Sequence, residues 1–404
     1  MSAALGQTHG GYIMAKSDKL WVNNTEAVFY ITLILFILGT VNIFSASFVL
    51  AGQLLHDSYF FLKRHLGFFI IGFITMIVVG RMNYHTFKRF LMPIAIATIG
   101  LLIAVHFSGV EANGARRWLN LAGLKFQPSE LAKLAVIMIT ANYLGPRIDR
   151  GRAITIFSGP FYFSLLAGVF VLRQPDMGTA VIVVGLSLIL YLLAGLPRFQ
   201  MYLLCSCAAV MGVVGTYAAS YRAERIAAWF NPWAYQQTIG YQTVQSLLAI
   251  GSGGFLGTGL GMGTSKFYYL PEAHTDFAFA VLCQEMGYIG ALVVLVLLML
   301  LGFYGIQIAI KAADGFGKML ALGATALVVG QGVANIAMVT GLLPVIGVPL
   351  PFVSFGGTSL IINFFAIGLL LSVGRRANIG ISKTADQPEK AKRKLKLVSN
   401  RNTV

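Results

Sequence analysis

Residues 276–306, DFAFAVLCQEMGYIGALVVLVLLMLLGFYGI, decide the fold. Beyond Asp276 the stretch is apolar for longer than the roughly 20 residues a helix needs to cross a hydrocarbon core. Glu285 is its one interior charge. Further apolar runs, bounded by charges or by Gly and Pro, give ten predicted spans, near 26–50, 65–80, 88–107, 130–145, 153–172, 177–195, 199–219, 276–306, 317–341 and 356–374. With 404 residues, 57% hydrophobic and 11% charged, the chain reads as an all-α polytopic membrane protein of ten transmembrane helices.

The formal net charge is +16. In a membrane protein such an excess comes from a basic cytoplasmic face, so no nucleic-acid partner is expected. The Lys and Arg residues sit in every second connection: Lys16 and Lys19; Arg81, Lys88 and Arg89; Arg147, Arg150 and Arg152; Arg198; Lys311 and Lys318; Arg375 and Arg376. The positive-inside rule then sets both termini in the cytoplasm and turns 108–129, 220–275 and 342–355 outward. Residues 1–25 read as a cytoplasmic tail without a removable signal peptide, 26–376 as the membrane domain, and 377–404 as a basic, disordered cytoplasmic tail. Cys205, Cys207 and Cys283 lie in apolar runs with neither disulfide nor zinc spacing and read as packing residues.

Two outer segments depart from short, inert connections. SGVEANGARRWLNLAGLKFQPS, 108–129, sets Arg116, Arg117 and Lys125 against the single acid Glu111, on the side where positive charge is disfavoured; contact with lipid headgroups is the plainer reading. Segment 220–275, between predicted helices 7 and 8, is long enough to be folded and holds apolar residues for re-entrant or surface-lying helices. Within it GSGGFLGTGLGMG, 251–263, has seven glycines in thirteen residues but lacks the G-K-[ST] ending and the preceding strand of a phosphate loop. These glycines read as tight turns and close approaches to other helices.

An ionisable residue in hydrocarbon costs several kcal/mol unless it faces a partner or a wet cavity, which makes the few present informative. Glu130 and Lys133 in PSELAK stand at i, i+3 and can pair with each other. Arg173 and Asp176 in RQPDMGT bracket a proline in a turn expected to dip toward a polar cavity. Glu285 requires a buried partner that the sequence does not identify. Asp276 has a structural explanation as an acid favoured in the first turn of a helix, and His274 one as a hydrogen-bonding loop residue. The position of Asp276, at the outer mouth of a helix with Arg116, Arg117 and Lys125 on the same side, suits chemistry on a lipid-linked phosphate.

NGARRWLNLAGLKFQPSELAKL, RQPDMGTA, GYQTVQSLLAIGSGG, LPEAHTDFAFAVLCQEMGYIG and GLLPVIGVPLPFVSFGGTSL, taken together and in order, resemble the signature segments of the bacterial SEDS family, typified by RodA, FtsW and SpoVE. The resemblance runs from about residue 26 to 376, and LPEAHTDF and GYQ are more similar to the division branch, FtsW. Phe355 and Thr358 stand where the family often has Tyr and Ser, which puts a role for the phenol in doubt.

The resemblance implies a ten-helix glycosyltransferase of the bacterial cytoplasmic membrane, at the division septum, that polymerises lipid II into peptidoglycan strands on the outer face. The implied partners are lipid II and the nascent glycan strand, a class B penicillin-binding protein (a single-span transpeptidase), other cell-division proteins and membrane lipids. It implies Asp276 as the essential acid, and Arg117, Trp118, Lys125, Glu130, Lys133, Asp176 and Gln245 as positions around the cavity. The α-linked donor becomes a β-1,4 bond, so the centre inverts. A pyrophosphate leaves as a stable anion and needs cations rather than a second acid. Asp276, ionised at its helix start, would act as general base, with Arg117, Lys125 or a divalent metal ion, Mg2+ or Mn2+, holding the pyrophosphate. No organic cofactor is implied. A lipid II flippase is the alternative reading of the same cavity.

Overall fold

Away from water, a helix pairs each backbone N–H and C=O within its own segment, and the apolar runs accordingly become helices. The computed structural model describes residues 23–112, 115–121, 124–217, 220–267 and 270–377. Its helices are α1 (Asn24–Leu55), α2 (Phe60–Arg81), α3 (Leu91–Ser108), α4 (Pro128–Asp149), α5 (Gly159–Leu172), α6 (Met177–Leu193), α7 (Arg198–Tyr217), α8 (Ser220–Phe230), α9 (Tyr241–Gly253), α10 (Ala278–Ile310), α11 (Gly315–Val339) and α12 (Gly357–Ala377). Among the described residues, six segments are long and apolar enough to cross a membrane: α1, α2, Tyr84–Ser108, α10, α11 and α12. Helices α5 and α6 are shorter and apolar. This is a multi-pass membrane protein. The expected tails, 1–25 and 377–404, fall almost entirely outside the described residues.

Helix α4 lies at the centre. Pro128 occupies its first turn, where a missing N–H costs nothing, and residues 132–138 are all buried. It packs on α11, α6, α3 and α5, while α10 bridges α11 and α1. Phe364 of α12 fills the space beside Gly72 of α2.

Polar contacts tie the turns together at each end of this bundle. At one end Asp149 accepts from the Gly315 N–H at 2.9 Å, Tyr84 donates to Asp314 at 2.6 Å, and Ser372 donates to the Met82 carbonyl at 2.7 Å. Segments 108–128, 172–177, 253–278 and 339–357 gather at the other end, which holds the candidate site.

The span expected over 276–306 is displaced and broken. Helix α10 starts at Ala278, runs to Ile310 and loses helical geometry at Gly287, where φ is +65°. The break frees carbonyls before it and N–H groups after it, and the glycine-rich segment satisfies both sets. Thr258 and Gly259 donate to the carbonyls of Gln284 and Glu285 at 2.9 and 3.1 Å. Tyr288 and Ile289 donate to the carbonyls of Gly254 and Phe255 at 3.0 and 3.4 Å. A side chain on Gly257 or Gly287 would collide with the other strand of this contact, which is why glycine stands at both.

The long connection 220–275 is helical over α8 and α9. Ser246 of α9 donates to the Val339 carbonyl at 2.7 Å, and Trp229 of α8 donates to the Gly341 carbonyl at 3.1 Å. Segment 108–129 is more than a connection: β1 (Val110–Ala112), β2 (Ala115–Leu121) and β3 (Leu124–Phe126) form an antiparallel meander. The Asn-Gly pair at 113–114 in the sequence is a hairpin signal. Cys283 is buried as expected of a packing residue, whereas Cys205 and Cys207 are exposed on α7.

Candidate active site

Asp276 does not lie in the first turn of α10. It stands two residues before the helix, in the turn 271–277, and the N-cap residue is Phe277, which makes no side-chain cap. The turn is drawn tight by Glu272, whose φ of +55° is left-handed and whose carboxylate accepts from the Thr275 hydroxyl at 2.6 Å. Asn335 of α11 fixes both walls, donating to the Asp276 carbonyl and the Val348 carbonyl at 2.7 Å each. Gly347 comes so close that a Cβ on it would lie 3.5 Å from Asp276 Oδ2.

The Asp276 side chain is half-buried, and among the described residues its carboxylate accepts no hydrogen bond. Burial pushes its pKa up to about 7; the negative charges of Glu272 and Asp176 add to the rise, and Arg117 opposes it. This corrects the expectation of an acid held ionised by a helix start. The result is a carboxyl poised near neutrality, as a proton acceptor at pH 7 should be. His274 is driven the other way, because burial among Phe61 and Phe355 lowers its pKa against the opposing pull of Glu272. It therefore supplies no positive charge at neutral pH.

Arg117, half-buried on β2, donates to the Gln174 carbonyl at 3.2 Å and to the Pro175 carbonyl, so the turn before α6 holds its guanidinium in the field of Asp276. Asp176 caps α6, accepting from the Thr179 N–H at 3.1 Å and from Gln127 at 3.3 Å. Both its oxygens are thus engaged. The structure brings Arg117, Asp176, Glu272 and Asp276 into one electrostatic group.

The remaining positions are placed less directly. Lys125 is exposed on β3, and its carbonyl accepts from Thr358 at 3.2 Å. Trp118 is half-buried on β2 opposite Val110. Gln245 is half-buried on α9, and no hydrogen bond joins it to the group among the described residues. Glu130 and Lys133 form the i, i+3 pair at 2.7 Å, both buried. Lys133 also donates to Gln331 at 2.7 Å, and Gln331 reaches the Pro349 carbonyl at 3.0 Å. This pair supports the 342–356 connection from behind and has no surface of its own.

Sequence reasoning missed Glu272, Gln127, Gln331, Asn335 and, above all, Lys266. Lys266 is the buried partner of Glu285, at 2.8 Å, and it also reaches Ser45 and the Gly261 carbonyl. The available signal was its position, as the first charge after the glycine run. Phe355 packs edge-on to Phe61 at 5.3 Å and donates its N–H to the His274 carbonyl at 2.9 Å, so the missing phenol leaves an apolar cage beside the site. Thr358 keeps a hydroxyl that ties α12 to the start of α4, accepting from the Gln127 N–H at 3.2 Å.

A protein-built metal centre does not fit. Among the described residues no three His, Cys, Asp or Glu side chains converge as ligands.

Comparisons with known proteins agree with this architecture. A sequence profile of the cell cycle protein family covering FtsW, RodA and SpoVE matches residues 25–379. The probable peptidoglycan glycosyltransferase FtsW of Geobacter sp. (strain M18) is 42% identical, over 86% of this chain and 96% of its own. Stage V sporulation protein E of Bacillus subtilis (strain 168) is 38% identical, over 85% of this chain and 95% of its own. Among solved structures, a chain from a peptidoglycan synthase complex that coordinates polymerization and crosslinking superposes with a TM-score of 0.73 and 27% identity, covering 88% of this chain and 98% of that one. Rod shape determining protein RodA of Thermus thermophilus gives 0.62 at 27% identity, covering 86% and 95%.

Proposed function

Because the chain belongs to the cell cycle protein family of FtsW, RodA and SpoVE, we infer that it is a peptidoglycan glycosyltransferase, and we propose that Asp276 is the base with which it polymerises lipid II. One observation carries the proposal. A half-buried carboxyl with its pKa near 7 and no hydrogen-bond partner among the described residues faces the field of an arginine at one end of a membrane helix bundle. An acid with no hydrogen-bond donor among the described residues, in the field of a cation, is arranged for a substrate rather than for stability.

In the proposed reaction the Asp276 carboxylate takes the proton of the 4-hydroxyl of an incoming N-acetylglucosamine. The oxygen attacks the anomeric carbon of the N-acetylmuramic acid that ends the nascent strand. The bond to the pyrophosphate breaks, its electron pair leaves with undecaprenyl pyrophosphate, and the α-linked centre becomes a β-1,4 bond. Arg117, fixed by the carbonyls of residues 174 and 175, holds the leaving charge, with Lys125 as a more mobile cation at the rim. A divalent ion, Mg2+ or Mn2+, suits this site as a companion of the pyrophosphate, since Mg2+ ordinarily keeps waters and substrate phosphates as ligands, and it would add to the neutralisation of that charge.

We further propose ten membrane crossings, α1 to α7 with α3 preceded by residues 84–90, then α10, α11 and α12, with the site end outward and both termini cytoplasmic. The alternation of basic turns supports this orientation. Septal synthesis with a class B penicillin-binding protein is the proposed setting, supported by the similarity to FtsW relatives and to a complex that also crosslinks. The test is direct: the purified chain, with its transpeptidase partner and divalent metal, is mixed with lipid II and product length is read on a gel. Strand formation is expected. A protein that moves labelled lipid II across liposomes but makes no polymer would replace this proposal with a flippase.

A further inference from the structure

Asn335 of α11 is fully buried, yet half of its amide is left unsatisfied. Its Nδ2 donates to the carbonyls of Asp276 and Val348 at 2.7 Å each, while Oδ1 has no hydrogen-bond partner among the described residues. A buried acceptor without a donor is rare and destabilising, and a leucine of similar size would not carry one. The two donor bonds therefore account for an asparagine here, and they end on the two segments that flank the Asp276 carboxyl. One turn earlier Gln331 repeats the contact, donating from Nε2 to the Pro349 carbonyl at 3.0 Å. Its Oε1 is engaged by Lys133 at 2.7 Å, and Lys133 is itself paired with Glu130. Residues four apart share a helix face, so α11 presents two amides that hold the successive carbonyls of 348 and 349.

The connection held in this way carries Gly347, whose left-handed φ of +65° brings its backbone against Asp276. We propose that Asn335 is a positioning residue for glycosyl transfer: it clamps the turn 271–277 to the connection 344–349 and so keeps the Asp276 carboxyl in its half-buried seat. Gln331, aligned by Lys133, fixes the connection side of the clamp. Asn335 bonds to the peptide carbonyl of Asp276 and not to its carboxylate, so it acts through that residue rather than on the substrate. The inference rests on Asp276 as the base. Lys133 and Glu130, both buried, then serve the site by holding its geometry, and no substrate contact is required of either.

The carboxyl of Asp276 is faced by Glu272, Asp176 and Arg117, with His274 on its own turn. Asn335→Leu retains all four, so a shift in its pH profile reports a moved carboxyl rather than a changed charge. The test is lipid II polymerisation by the purified full chain with its transpeptidase partner, measured against pH beside thermal unfolding. Asn335→Leu should lower kcat at least about tenfold while KM stays within a few-fold, because small misplacements of a reacting group are costly in rate. The midpoint of its rate profile should fall from about 7 toward the ordinary carboxylate range as water reaches the carboxyl, since burial is the main cause of the raised value. Unfolding temperature should drop by only a few degrees. Asn335→Ser, which keeps one donor, should fall between the leucine variant and the original chain, and it decides the matter alone if the leucine variant does not fold. A folded variant with normal kcat would overturn the clamp, and so would a lower kcat whose midpoint stays at about 7, the result of a merely structural role. An unsubstituted rate that does not rise with pH would overturn the base assignment and this inference together.

Discussion

Lys266 meets Glu285 at 2.8 Å with both side chains buried, so the glycine-rich segment is locked by charge to the helix that it interrupts. Removing one partner leaves the other charged and unpaired. Lys266→Met is expected to destabilise the chain by about 3–5 kcal/mol, and Lys266→Met combined with Glu285→Met to restore much of that loss. Thermal unfolding in detergent checks both, and equal losses in the single and double variants would refute the pairing as the source.

Gly287 supplies a left-handed φ of +65° where the Gly257 backbone approaches. Gly287→Ala is therefore expected to cost about 1–3 kcal/mol and to lower activity as the first half of α10 shifts beneath Asp276. The same substitution at Gly67, which has open space and lies within α2, should leave unfolding temperature nearly unchanged.

The two proposed phosphate cations differ in how firmly they are held. Arg117 is fixed by two carbonyls, while Lys125 is exposed. Arg117→Lys should lower kcat/KM for polymerisation about tenfold or more because the planar fork is lost, and Lys125→Arg should change it little. Normal turnover by an Arg117→Ala, Lys125→Ala double variant in micelles would return both residues to a lipid-anchoring role.

Reporter fusions at 150, 240 and 315 should score inside, outside, inside. These positions fall in or beside connections at alternating ends of the bundle, and another order would separate Asp276 from an outward-facing donor.

What could be read from sequence was local. Glu130 and Lys133 were legible because an i, i+3 spacing on one helix settles their meeting without reference to anything else. The partner of Glu285 was not, since Lys266 reaches it only after the chain has folded a glycine turn into the break at Gly287. The meander over 110–126 escaped a reading by apolar periodicity because its strands are three, seven and three residues long. Asp276 was singled out by its address, and that reading did not foresee a raised pKa. Burial in the folded chain is the main cause, and Glu272 and Asp176 add to it through space, from a left-handed turn and from another helix cap.

The raised pKa of Asp276 also makes a prediction about stability. A carboxyl whose pKa rises from the ordinary 3.8 to about 7 binds its proton more tightly in the folded chain. Its contribution is fully present below about pH 4 and is lost as pH climbs through about 7. Asp276→Asn should therefore gain in unfolding temperature relative to the original chain between pH 5 and pH 8. A gap that is constant with pH would contradict the raised value.

Polymerisation of lipid II by purified Asp276→Asn, measured against pH beside the unsubstituted chain, tests the central claim most directly. The unsubstituted rate should rise with pH and level off above about 7, while the folded variant should be slower by about 100-fold or more and lose that rise. A stable variant that polymerises at the normal rate, with the same pH profile, would contradict the assignment of Asp276 as the base.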